Sequence, residues 1–247
     1  MKPLSAALLF ALALLAPALA MAAEDENEGL DPALRYDFVA GVPDQPTTIW
    51  GLAYGARLYD NWWQTLGEPP PARTHPAYPA GGARSGAETW RCESCHGWDY
   101  RGVQGLKGVT GRYTNNPERM ADYLRGEPHR YTADMLPDSA LHYLSHWLTH
   151  GRHNPDLWIA ADGHAKGDVR QGETVYQTMC AACHGYDGRA ILMGEDGQSL
   201  GRRSKAEPHA AFHKIRNGAP GSTMPALRAF EPQWAANVLA YAQTLPE

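Results

Sequence analysis

Wherever a pattern of apolar and polar positions exists along this chain, it follows the helical period. Leu141, Leu144 and Leu148 recur three and four residues apart, Pro137 suits a first helical turn and Gly151 is placed as a stop, so a helix is expected over 137–150. Pro232 opens a similar segment with Trp234, Val238, Tyr241 and Leu245 as its apolar stripe, and this spacing assigns those aromatics to a core. Gly55-x-x-x-Tyr59-x-x-x-Trp63 marks a helix over 52–66, and Gly172-x-x-x-Tyr176-x-x-x-Cys180 marks another. Short amphipathic segments end at Leu124-Arg125-Gly126 and at Ile215-Arg216-Asn217-Gly218. The fold class these elements predict is all-α. Two stretches break the pattern: residues from Gly67 to about Gly86, with Pro69-Pro70-Pro71 and Gly81-Gly82, and Arg152 to Lys166, with Asn154-Pro155 and Asp162-Gly163.

The helical pattern occurs twice. Sliding the sequence by 88 places Cys92, Cys95, His96, Gly97, Asp99 and Arg101 on Cys180, Cys183, His184, Gly185, Asp187 and Arg189. Each copy continues through an amphipathic segment to a methionine and then to the last helix. His96 and Met135 are 39 positions apart, His184 and Met224 are 40. A mature length of about 225 residues allows one or two domains, and the repetition decides for two.

The shared motif is Cys-x-x-Cys-His. Two thiols three positions apart on one helical turn can each bond a vinyl group of one porphyrin, and the adjacent histidine is then held beneath the iron as proximal ligand. A bare Cys-x-x-Cys would also fit a redox dithiol or half a zinc site. The histidine that follows directly, found twice, points instead to covalent attachment of two haem c groups (iron), through Cys92, Cys95 and His96 and through Cys180, Cys183 and His184.

Residues 167–247 resemble the class I c-type cytochrome family, through the glycine and aromatic of the first helix, Cys180-x-x-Cys183-His184, and Met224-Pro225 before a last helix. As a pair, the two copies resemble diheme, cytochrome c4-like members. The resemblance implies a small all-helical domain with His184 proximal and Met224 distal. The first copy departs from the pattern, with Arg84 and Glu88 where a glycine and an aromatic are expected before Cys92. The missing pair stands upstream as Gly55 and Tyr59, so we read Leu52–Leu66 as the first helix of this copy and residues 67–86 as an insertion; the alternative is an unrelated capping helix. The expected organisation is therefore two tandem cytochrome c-type haem domains with an N-terminal extension, the domains at 48–151 and 167–247 joined by a linker at 152–166. Met135 stands to the first motif as Met224 does to the second and is taken as its distal ligand, with His129 the alternative. His142, His146, His150 and His153 share one side of the predicted helix, a spacing common on solvated faces and also seen in metal sites. Arg101, Arg112, Arg189 and Arg202 are either propionate partners or solvated, and Asp99 and Asp187 read as turn residues.

Composition changes the picture mainly at the N-terminus. Lys2 followed by an apolar Leu/Ala run to Leu19, with small residues at Ala18, Ala20 and Ala22, reads as a secretory signal peptide over 1–22. The run is shorter than a spanning helix needs, and no later stretch could span a bilayer. The acidic residues are concentrated in an N-terminal tail over 23–47, and from residue 51 acids and bases balance at twenty each. Covalent haem c on an exported chain points to the periplasm, and all four cysteines are assigned to haem, so no disulfide is expected. Nothing argues for nucleic acid. Partners would be periplasmic or membrane-bound redox proteins, one donor and one acceptor. No nucleophile–base arrangement, phosphate loop or nicotinamide fingerprint is present, so no catalytic residue is assigned. An electron carrier is the first reading; a diheme enzyme acting on thiosulfate or peroxide, or a cytochrome subunit of a dehydrogenase complex, is the alternative.

Overall fold

The computed structural model describes residues 46–110, 114–194 and 196–247. The signal peptide and nearly all of the acidic tail, and Arg112, lie outside the described residues. Helix α1 (Thr48–Leu66) begins four residues before the first periodic position because Thr47 caps it, its hydroxyl accepting from the Trp50 N–H at 3.1 Å. It is kinked at Asn61, whose backbone is extended and whose side chain accepts from the Gln64 N–H at 3.0 Å, restarting the helix as an internal cap. Gly67, at φ +72°, ends it in the left-handed conformation that a side chain would resist.

Three more helices complete the first half: α2 (Cys92–His96), α3 (Pro117–Arg125) and α4 (Asp138–His146), the last continuing as a π-turn over Trp147–Gly151. Gly151 is not a left-handed stop. Its backbone is required by crowding, since a Cβ there would lie 2.7 Å from Trp147 and 2.9 Å from the Arg228 guanidinium. The second half holds α5 (Val169–Val175) with a π-turn over Tyr176–Cys180, α6 (Ala181–His184), α7 (Leu200–Ala206), α8 (Pro208–Asn217) and α9 (Pro232–Ala242). Among the described residues the only β pairing is two isolated bridges, Ile159 with Ala165 and Met193 with Gln198.

Two helix crossings set the frame, α1 on α4 and α5 on α9, and both depend on a missing side chain. A Cβ on Gly55 would sit 2.2 Å from the Tyr143 carbonyl oxygen, and one on Gly172 would sit 1.9 Å from the Asn237 carbonyl oxygen. Around the first crossing Leu58, Tyr59, Leu136, Leu144 and Trp147 are buried in one cluster; each buried leucine contributes about 1.5–3 kcal/mol relative to exposure. The cluster around α9 contains Phe212, Ala235, Ala236, Leu239 and, from the segment between the repeats, Ile159. Here the expected stripe is corrected. Val238 and Leu245 are buried, but Trp234 is 41% exposed beside the equally exposed Phe230, and small residues at 235, 236 and 242 make the buried face instead. Val238 and Leu239 share that buried face with the alanines, and Trp234 lies off it beside Phe230.

The described residues fall within one compact unit, and α8 seats directly on α1. His213, fully buried, bridges the two: its Nε2 donates to the Ala56 carbonyl at 3.0 Å and its Nδ1 faces the Tyr100 hydroxyl at 3.5 Å. Beside it Lys214 pairs with the buried Asp60, and Arg228 donates to the Gly151 carbonyl at 2.5 Å.

Candidate functional site

The two Cys-x-x-Cys-His segments are held by the same set of bonds. Tyr59, from α1, donates its hydroxyl to the Gly97 carbonyl at 2.7 Å, and Tyr176, from the turn after α5, donates to the Gly185 carbonyl at 2.7 Å. Gly97 and Gly185 both adopt positive φ, 75° and 76°, so the chain turns sharply just after each histidine. The carbonyls of His96 and His184 accept from Gly102 and Ala190 at 2.9 and 3.0 Å. Asp99 and Asp187 each accept from the N–H two residues on, at 3.0 and 3.1 Å, which is the turn role read from their position.

Each motif presents two cysteine side chains and one neutral imidazole. All four cysteines are free. Burial pushes the Cys92 thiol up to about 12 and the Cys180 thiol up to about 11. A redox dithiol needs the opposite shift, so thiol–disulfide chemistry is disfavoured at both places. Burial also lowers the pKa of His96 and of His184, keeping both rings neutral. The His96 Nδ1 donates to the Lys107 carbonyl at 2.7 Å, which leaves Nε2 with its lone pair free to bind a metal. The His184 Nδ1 is buried without a hydrogen-bond partner. Paired thiols beside a neutral imidazole form the donor set that covalent haem requires, so both sets of residues fit the group.

Around the first motif the structure adds an ion network that sequence spacing could not reveal. Glu93, inside the motif and 2% exposed, receives both Nη atoms of Arg84 at 2.6 and 2.9 Å, and Arg91 approaches it at 3.1 Å. Burial still raises its pKa despite the two arginines. Asp60 is 1% exposed; burial would raise it, but Lys214 and Arg91 together hold it below the usual carboxylate range. Arg84, one of the residues that breaks the family pattern, thus fastens the end of the 67–86 segment to the motif helix. The only sequence signal for this was Arg84 and Glu88 standing where a glycine and an aromatic were expected.

The remaining candidates separate. Met135 is partly buried against the first cluster, and Met224 is half-buried, its backbone N–H donating to the Ser222 hydroxyl at 3.2 Å. The His129 ring centre lies 6.0 Å from that of His96, with 37° between the planes. His142 and His146 sit side by side at 4.3 Å, but His153 turns away into buried contact with Tyr100 and Phe212. The guanidinium of Arg101 is taken up by Asp156, with contacts of 2.6 and 2.7 Å, and Arg189 donates to the Glu247 backbone. A cleft of about 540 Å³ beside Arg101, Arg152 and Asp156 is lined by none of the motif cysteines or histidines, so its size does not mark the chemistry.

No match was found among curated proteins. Residues 167–241 match the family model described as Cytochrome C oxidase, cbb3-type, subunit III. The stretch that contains Cys180, Cys183 and His184 is therefore similar to a c-type cytochrome domain, which implies covalently bound haem c, redox partners and a role in electron transfer.

Proposed function

We propose that this chain is a periplasmic diheme cytochrome c that passes single electrons between redox partners and carries out no substrate chemistry of its own. The reading rests on one observation above the others: Tyr59 and Tyr176 make the same 2.7 Å bond to the glycine after each motif histidine, although only the second motif lies in the matched stretch. That parallel supports two haem domains, read at 48–151 and 167–247 with a linker at 152–166. Covalently attached haem supplies a reversible one-electron couple. The chain's own residues do the rest. Cys92, Cys95, Cys180 and Cys183 tether, and the neutral rings of His96 and His184 ligate from one side. Met224 would be the further ligand of the second haem, and Met135, with His129 the alternative, that of the first. A site with protein ligands on both faces has no vacancy for peroxide or a sulfur anion and reorganises little on changing oxidation state. Export by the signal over 1–22 brings the chain to the compartment where such attachment is made.

A cytochrome subunit of a larger assembly is the second reading. It is favoured by the matched model, whose name describes an oxidase subunit, and by the exposed Phe230–Trp234 pair, which could bury against a partner. One preparation tests both. The purified holoprotein is assayed for haem per chain, titrated optically and by EPR, and exposed to carbon monoxide when reduced. Two haems, both low-spin and inert to carbon monoxide, are expected. One haem, a readily ligand-binding haem, or rapid turnover of thiosulfate or peroxide would overturn the carrier reading, and co-purification with a stoichiometric dehydrogenase or oxidase would favour the subunit.

A further inference from the structure

We infer that the first haem is held between two histidines, with His129 and not Met135 opposite His96; the inference rests on the diheme reading above. An imidazole nitrogen lies about 2 Å from a transition metal it ligates and about 1 Å from its own ring centre, so two rings sandwiching one metal ion have centres roughly 6 Å apart. The His96 and His129 ring centres are 6.0 Å apart. The 37° between their planes is no obstacle, because both rings stand edge-on to a haem and their mutual angle is a free rotation about the ligand axis. The His129 Nδ1 is buried without a hydrogen-bond partner, a group that otherwise costs about 1–3 kcal/mol to leave unpaired.

The surroundings of His129 are built, in part by the segment that the second copy lacks. His75 lies within the 67–86 insertion. Its Nδ1 accepts from the Ala77 N–H at 3.1 Å, so its Nε2 carries the proton and donates to the His129 carbonyl at 3.0 Å. The His75 backbone is in turn tied to the Thr89 hydroxyl at 2.8 Å, three residues before Cys92. Tyr123 packs edge-on against the His129 ring at 4.9 Å, and Tyr131, whose hydroxyl is 4.0 Å from the Cys92 Sγ, stacks behind it at 6.5 Å. His129 therefore lies close to the proximal histidine and is linked through Tyr131 to an attachment cysteine, and the insertion clamps its backbone. Met135 is partly buried against the same cluster that holds Tyr131 and takes in Cys92 and Tyr123, so it too stands near the motif; the spacing that fits one shared metal ion is the one between His96 and His129. The two haems would then differ in kind, histidine–histidine at the first and histidine–methionine at the second, and the first would have the lower potential, since methionine ligation raises it.

The test uses the full-length holoprotein and the weak red absorption band that methionine-ligated ferric haem shows, read per haem alongside EPR. The wild type is expected to show this band for one haem of its two. Met135→Leu should leave the band and both EPR components unchanged, and Met224→Leu should abolish the band. His129→Ala should convert one low-spin component to high-spin and let it bind carbon monoxide. Should that variant fail to mature, His129→Met serves in its place and should roughly double the band. Loss of half the band in Met135→Leu, or an unchanged low-spin pair in His129→Ala, would overturn the inference while leaving two haems per chain. A wild type with a single haem would overturn the diheme reading itself and the inference with it.

Discussion

Replacing Gly172 with alanine puts one methyl group where α5 crosses α9. The added Cβ would lie 1.9 Å from the Asn237 carbonyl oxygen, against an ordinary carbon–oxygen approach of about 3.3–3.6 Å. The helices would have to part by about 1.4 Å or more at their crossing. The obstacle is backbone in a helix whose neighbours Ala236, Val238 and Leu239 are buried, so no side-chain rotation relieves it. Overpacking of this kind costs about 1–3 kcal/mol, and a backbone clash belongs at the upper end. For a protein of this size each kcal/mol moves the midpoint by about 2–4 °C, so Gly172→Ala should melt about 6–12 °C below wild type. Thermal and guanidinium unfolding of the holoprotein, followed by far-ultraviolet circular dichroism, reads this directly. Gly126→Ala is the control: its φ is negative and an added Cβ would meet only ordinary contacts of 3.5 and 3.8 Å, so it should be neutral or stabilising by up to about 1 kcal/mol. Equal stability of the two variants would refute the close crossing.

Tyr59→Phe and Tyr176→Phe should each cost about 1–3 kcal/mol by leaving a motif carbonyl without its donor, and effects of very different size in denaturant titrations would refute the equivalence of the two halves. Burial lowers the His213 pKa to about 4, below its unfolded value of about 6.5. The folded state therefore favours the neutral ring: this contribution is fully present above pH 6.5 and is lost as pH falls towards 4, on the order of 3 kcal/mol in all. His213→Gln should flatten that part of the stability–pH curve, whereas Asp60, with its lowered pKa, acts only at more acid pH. Arg101→Gln should leave haem content and both reduction potentials unchanged, because the Arg101 guanidinium is spent on Asp156; a shifted potential would restore Arg101 as a propionate partner.

Much of this protein was legible in its sequence because the signals were local. Two Cys-x-x-Cys-His motifs carry their chemistry within five residues, a helical period needs only a dozen, and a Gly-x-x-x-Tyr pair precedes each motif, directly before the second and 33 residues before the first. Local reading failed where distant chain decides the environment. The apolar stripe of the last helix was read through Trp234, but the face of α9 that turns to α5 and α8 runs through Ala235, Ala236, Val238 and Leu239, and Trp234 lies off it. Gly151 looked like a helix stop, yet what forbids a side chain is Arg228 from 77 positions away. The Arg84–Glu93 pair joins an insertion to a motif helix, and His213 joins the two halves through the Ala56 carbonyl. From the first motif the spacing from His96 points to Met135; His129 comes near the same histidine by a route that sequence distance does not show, the folding back of the 67–86 segment. Only the tertiary structure brings His75 onto the carbonyl of His129 and sets that ring 6.0 Å from His96, since the bond that does so spans 54 residues and leaves no periodic trace.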